Sequence, residues 1–193
     1  MSSVTAIVVL GLLAVPATSE GKVESRGATR RFISQRYGFS MAVPGGWGVS
    51  VTLDTPVFFY APPSERFIQD AIPKGGAVIT VAAHDTESGQ AKSATTPEAW
   101  ASADVRAFAS GRPTVQSFQF STESGVSQAV MCSYDEPTFS PDQHTAHSVV
   151  IFWEFDKQLF AAHLRYNADD SNAPALRKVY FQTVRSIRPL VKP

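Results

Sequence analysis

Apolar and polar residues alternate with period two along several stretches of this chain, and each such stretch predicts a half-buried strand. Phe39, Met41 and Val43 share one face, opposite Ser40 and Ala42. Pro44-Gly45-Gly46 makes a turn, after which Trp47, Val49, Val51 and Leu53 alternate with Gly48, Ser50, Thr52 and Asp54. These two segments read as a half-buried antiparallel pair. Strands are also expected over Val57 to Tyr60, Ala77 to Ala83, Val115 to Ser121 and Ser127 to Asp135, the last two joined around Gly125. Ser64 to Ile72 has the serine cap and apolar side of a short helix.

Two longer helices carry clearer boundaries. Thr95, Thr96, Pro97 and Glu98 combine capping hydroxyls, an early proline and a capping-box glutamate. The helix they open is expected to run to about Ser110, with Ala101, Val105 and Phe108 as its apolar stripe and Gly111 as its close. Beyond the acids Asp169 and Asp170, Leu176, Tyr180, Val184 and Ile187 fall on one helical face until Pro189 stops the run.

The hairpin of Ser148 to Phe155 and Gln158 to Tyr166 is apolar on both sides. Val149, Ile151, Trp153 and Phe155 make one face, and Val150, Phe152, Leu159 and Ala161 make the other. A strand apolar on both faces is central in a sheet covered twice. The fold class expected is therefore α+β: an antiparallel β-sheet flanked by helices on both faces. Val150, Phe152 and Leu159 are also the candidate binding surface, since a contiguous apolar patch left bare marks an interaction site. Cover by a helix of the same chain is the expected arrangement.

The N-terminus differs in kind. Val4 to Val15 is an apolar run broken only by Thr5 and Gly11, ended by Pro16 and small residues. It is too short to span a bilayer, which takes about 20 residues, and suits the apolar region of a signal peptide. No Lys or Arg precedes it. The expected organisation is a signal peptide over 1–19, a polar linker over 20–31, one domain over 32–189 and a tail over 190–193. The protein is then exported, periplasmic or extracellular, with an uncleaved anchor as the variant.

Charge and cysteine content narrow the partners. Seventeen basic residues balance seventeen acidic ones, which argues against a general nucleic-acid binder. The single cysteine, Cys132, excludes an internal disulfide and thiolate-rich zinc sites, and it reads as a small core residue. His144 and His147 are the one close histidine pair, placed in a loop; with His84 and Asp85 they are the metal candidates. Asp135, Glu136 and Asp142 are acidic enough to suggest calcium, but without EF-hand spacing. His163 falls on the Leu159 face of the hairpin. No serine-hydrolase elbow, P-loop or dinucleotide fingerprint occurs.

The opening Tyr37-Gly38-Phe39-Ser40-Met41-Ala42-Val43-Pro44-Gly45-Gly46-Trp47 resembles the start of PsbP-like domains, a superfamily that includes the Mog-type proteins. The closing Phe181-Gln182-Thr183-Val184-Arg185-Ser186-Ile187 is similar to that superfamily's last helix, and the element order matches over about residues 32–189. The resemblance implies an antiparallel sheet between helices and action by binding, since members bind photosystem II or the GTPase Ran; it supplies no catalytic motif. The function expected is an exported, non-catalytic binding or accessory protein of the cell envelope, without cofactor. Its partner would be another envelope protein or an unidentified ligand. The alternative is a metal-dependent hydrolase using His84, Asp85, His144 and His147.

Overall fold

The computed structural model describes residues 21–51, 55–63, 72, 75–85, 96–123, 125–136, 145–155 and 158–190. In chain order the elements are β1 (Lys22–Arg26), β2 (Thr29–Ser34), β3 (Phe39–Ala42), β4 (Gly48–Val51), β5 (Val57–Ala61) and β6 (Ala77–Asp85). Then come α1 (Pro97–Phe108), β7 (Ser110–Thr122), β8 (Gly125–Asp135), β9 (Ala146–Phe155), β10 (Gln158–Asn167), α2 (Ala173–Arg185) and β11 (Arg188–Pro189). All strand pairs are antiparallel, and they form two sheets: β1-β2-β3-β11, and β4-β5-β6-β10-β9-β8-β7. The fold is mixed α and β, dominated by strand.

β10 lies at the middle of the larger sheet, paired with β6 on one side and β9 on the other. One of its faces carries Phe160, Ala162 and Leu164, all fully buried. They join Trp153, Ile151, Phe120 and Ile79 from neighbouring strands, Phe32, Phe39 and Met41 from the smaller sheet, and Tyr180 and Val184 from α2. Trp153 stacks on Phe160 with ring centroids 5.2 Å apart, and Phe39 meets Phe160 edge-on at the same spacing. The buried Tyr180 hydroxyl donates to the Ala162 carbonyl at 2.6 Å, which satisfies the one polar atom it brings into this core.

The other face holds Val130, Cys132 and Tyr134 of β8 with Val150 and Phe152 of β9, and α1 packs on them through Ala101, Trp100 and Val105. Trp100 lies over Phe152 at 5.6 Å between ring centroids. At the start of α1 the Thr96 Oγ1 accepts from the Ala99 N–H at 3.2 Å, and Pro97 follows the cap, as its sequence predicts.

Several expectations are corrected. Residues 20–31 are not a linker: from Lys22 onward they form most of a hairpin, β1 with β2, turning at Gly27 in the left-handed region (φ +60°). Its signal is faint because it lies at a sheet edge, with mostly exposed side chains and one large buried residue, Phe32. The single expected sheet is two, and β3 and β4 do not pair. β3 lies between β2 and β11 in the smaller sheet, while β4 pairs β5 in the larger one. Pro44 to Trp47 is thus a crossing between sheets, closed by the Trp47 N–H donating to the Pro44 carbonyl at 3.2 Å. Period-two alternation shows that a strand is half-buried but not which strand is its neighbour.

α1 ends before Gly111, at an extended Ala109, and Phe108 is 54% exposed rather than part of the stripe. Gly111 instead lies in β7 with φ +78°, where the register with β8 shifts between Ser110 and Thr114. The residue before α2 that fills the cap position is Asn172, whose N–H donates to Asp170 Oδ1 at 2.8 Å. The expected helix over Ser64 to Ile72 lies outside the described residues apart from Ile72.

Phe152 is 2% exposed against Trp100, so Phe152→Ala should remove its burial and leave a cavity. We expect a loss of about 3–5 kcal/mol in urea denaturation, with the slope unchanged. A midpoint within error of wild type would show that α1 does not hold this face.

Candidate functional site

The sequence-predicted binding residues are all inside. Val150 is 1% exposed, Phe152 2% and Leu159 1%. Val150 and Phe152 lie under α1 in one cluster with Val130, Cys132 and Ala101. The metal candidates are spread along the sheet. His84 pairs Leu159 and Asp85 pairs Gln158 at one end of β10, whereas His147 pairs Tyr166 at the other end. Seven residues of strand separate those rungs, about 23 Å. His147 belongs to β9 and not to a loop, and His144 and Asp142 lie outside the described residues. Among the described residues no three His, Cys, Asp or Glu side chains gather in a way that could hold a metal.

What the fold does bring together is polar chemistry at the Tyr166 end of β8, β9 and β10. On the α1 side, the Glu136 carboxylate accepts two bonds from Arg165: Nε to Oε1 at 2.9 Å and Nη2 to Oε2 at 2.5 Å. Glu136 is 9% exposed, so this bidentate pair is what makes its burial tolerable. The acid that suggested calcium is thereby occupied by a guanidinium. The buried Ser148 hydroxyl donates to Glu136 Oε1. Ser148 has one proton and has given it away, so at its 2.8 Å contact with His163 it accepts, and His163 Nε2 carries the hydrogen. Nearby the Tyr134 hydroxyl donates to Asp104 Oδ2 of α1 at 2.5 Å. Burial raises the Asp104 pKa, with the Tyr134 bond opposing and Glu136 adding to the rise.

On the opposite face of the same strand ends, His147 Nδ1 lies 2.6 Å from Asp135 Oδ1, and His147 Nε2 lies 2.9 Å from Ser133 Oγ. The order of atoms is that of a Ser-His-Asp relay. Arg177 of α2 changes its chemistry, because Nη2 lies 3.1 Å from the same Nε2 and a guanidinium can only donate. The Nε2 lone pair that a general base would offer to Ser133 already faces the Arg177 guanidinium. The other arm of Arg177 donates from Nε to the Tyr166 hydroxyl at 2.9 Å. The trio with Arg177 therefore ties the first turns of α2 to β8, β9 and β10.

Cys132 is fully buried, and burial, then the neighbouring Asp104, pushes its pKa up to about 11, which leaves an inert thiol.

Beyond α1 the same face of the larger sheet is only partly covered. Its rungs run Phe58–Thr80–His163 and Tyr60–Val78–Arg165, and all six side chains are partly exposed. Sequence reading missed this surface because the relevant residues come from three strands far apart in the chain. On the other flank of α1, a groove of about 420 Å³ is lined by Thr96, Pro97, Glu98, Gln128, Glu154 and Phe155.

The network yields a pH dependence. Burial, opposed by Glu136 and reinforced by Arg165, pushes the His163 pKa down to about 4. The unfolded histidine titrates near 6.5, so between about pH 6.5 and 4 the unfolded chain takes up a proton that the native state refuses. Stability falls as pH falls through that window, by on the order of 2–3 kcal/mol from this group. Asp104, raised in the native state, acts in the opposite sense, so the test is a difference. His163→Gln should flatten the fall in stability between pH 6.5 and 4.5 relative to wild type, measured by denaturant midpoints; parallel curves would contradict it.

No known family model matches the chain, and no curated protein matches its sequence. Solved structures do match. The Saccharomyces cerevisiae Ran-binding protein Mog1p superposes with a TM-score of 0.50 at 10% identity, over 84% of this chain and 95% of that one. Cyanobacterial PsbP (CyanoP) from Synechocystis sp. PCC 6803 gives 0.50 at 12% identity, over 86% and 94%. A Bacteroides thetaiotaomicron VPI-5482 structure gives 0.48 at 12% identity, and there this chain spans 48% of the other protein. The chain has the PsbP/Mog-like fold.

Proposed function

We propose that this protein is an exported, non-catalytic binding or accessory domain of the cell envelope, acting without a cofactor on another envelope protein or an unidentified ligand. The observation that carries the reading is the division of the sheet's second face. α1 fills the half over Val130, Val150 and Phe152, and the other half presents Phe58, Tyr60, Thr80 and His163 partly exposed on a rigid sheet. Aromatic rings with a few fixed polar groups are the composition that binding surfaces favour. The Glu136–Arg165–Ser148–His163 network holds the edge of that surface in place. In this reading one helix lies on each face of the larger sheet, α1 on the second and α2 on the first, and the remaining open area is the working surface.

Two features support the setting. The apolar run of Val4 to Val15 with its small-residue exit suits export. The Mog1p neighbour is a Ran-binding protein, which is the precedent for such a sandwich working by docking a protein.

The test uses a photo-crosslinking residue in the native host. Placed at Thr80 or Tyr60, it should give one discrete adduct in the envelope fraction; placed at Lys178, on the exposed side of α2, it should give none. N-terminal sequencing of the same protein should begin at Thr18 or Glu20. Equal adducts at all three positions, or an intact Met1 on cytosolic protein, would refute the reading.

A further inference from the structure

We propose that β7 is the contact of a two-fold dimer, in which two copies of this chain pair β7 with β7 antiparallel and join their larger sheets into one. The observation is a contrast among the sheet edges. A bare edge strand offers unpaired N–H and C=O groups to any other strand, and proteins blunt such edges by shortness, charge, proline or bulges. Three edges here are blunted. β4 has four residues, β11 has two, and β1 reads Lys-Val-Glu-Ser-Arg with Lys22 and Glu24 paired at 2.8 Å. β7 is different: thirteen residues long, last in the strand order, with β8 its one partner among the described strands. Its bulge, Gly111, Arg112 and Pro113 all fall in the first four residues. From Thr114 to Thr122 there are nine residues in regular register with β8, without a charge, a proline or a glycine.

Exposed apolar side chains gather at the same place. Of the four large hydrophobic residues exposed in the described chain, Phe108 (54%) lies just before β7, Val115 (55%) on it, and Val126 (65%) on its neighbour β8.

The occupant that fits is a second copy. Phe120, Trp153 and Phe160 form an aromatic row across the sheet, at 5.7 and 5.2 Å between successive centroids, and Phe118 extends it along β7, 5.7 Å from Phe120 and on the same rung as Trp153. The row ends at the half-buried Phe118 on the open edge. A two-fold axis through Phe118 sets it opposite its own copy and doubles the row. That register also sets Gln116 opposite Phe120, Ser117 opposite Gln119, and Val115 opposite Ser121, whose partner on β8 is Val126. The exposed valines are thereby brought onto one rung, and every rung is free of like charge. Such an interface is isologous and closed, so it stops at two copies. It is independent of the binding surface proposed above, since crosslinking at Thr80 and dimerisation through β7 can each succeed or fail alone.

The experiment is sedimentation equilibrium of the full chain across a micromolar concentration series. Wild type should pass from monomer to dimer. Ser117→Lys with Gln119→Lys sets like charges on facing rungs, as does Ser117→Glu with Gln119→Glu. Each double variant should weaken association by roughly tenfold or more. Mixing the Lys and Glu variants should restore the dimer. Both positions are exposed, so at concentrations where wild type is monomeric the variants should melt with it. Hydrogen exchange of the Thr114–Thr122 amides in unaltered protein gives a second readout, with protection expected to rise with concentration. A monomer throughout, a dimer indifferent to the double variants, a loss not rescued by mixing, or exchange independent of concentration would each overturn the proposal.

Discussion

β9 has to be buried on both faces, and the elements around it are arranged to meet that requirement. Phe160 and Trp153 stack on one side of the sheet while Phe152 sits beneath Trp100 on the other. A strand so placed leaves no polar face for water, so each side needs its own cover. The smaller sheet, with Tyr180 and Val184 of α2, packs on one side, and α1 packs over Val130, Val150 and Phe152 on the other; each brings a few polar atoms that need partners. Tyr180 bonds the Ala162 carbonyl, and Tyr134 bonds Asp104. Where the covers end, at the Tyr166 end of the strands, the remaining charges must pair among themselves. Glu136 with Arg165 is that solution, and beside them Asp135 bonds the His147 ring.

The same requirement explains which parts of the larger sheet stay open to solvent among the described residues. Side chains fill the sheet interior, and the partly exposed places among the described residues are the flank of α1, the rungs of β5, β6 and β10 beyond it, and the β7 edge. The groups that resemble a relay, Ser133, His147 and Asp135, meet Arg177 and so connect α2 to the strand ends.

Much of the architecture was legible in the sequence, for identifiable reasons. The double apolar pattern of Val149 to Phe155 placed the central hairpin, and the Thr96-Pro97 cap placed the start of α1. Tyr180, Val184 and Ile187 are buried as their spacing predicts. What failed was information that no local pattern carries. β1 and β2 carry eight polar residues among eleven, since an edge hairpin buries little, and the two-residue β11 has no period to detect. The partner of β3 was misassigned because alternation is blind to sheet membership. The candidate site was less legible still. Val150, Phe152 and Leu159 share one face as expected, but the burial of Val150 and Phe152 depends on a helix some fifty residues earlier in the chain, and Glu136 meets an arginine 29 positions away. His84 and His147 looked combinable until the register set them at opposite ends of β10.

Native-state hydrogen exchange measures the doubly covered centre most directly, since the slowest amides report the last structure to open. Val149 to Trp153 and Phe160 to Leu164 should exchange only through global unfolding, with β1 and β2 opening at much lower cost. Exchange of β9 and β10 at the rate of the β1–β2 hairpin, or with α1 alone as the slowest element, would contradict a fold organised around that pair.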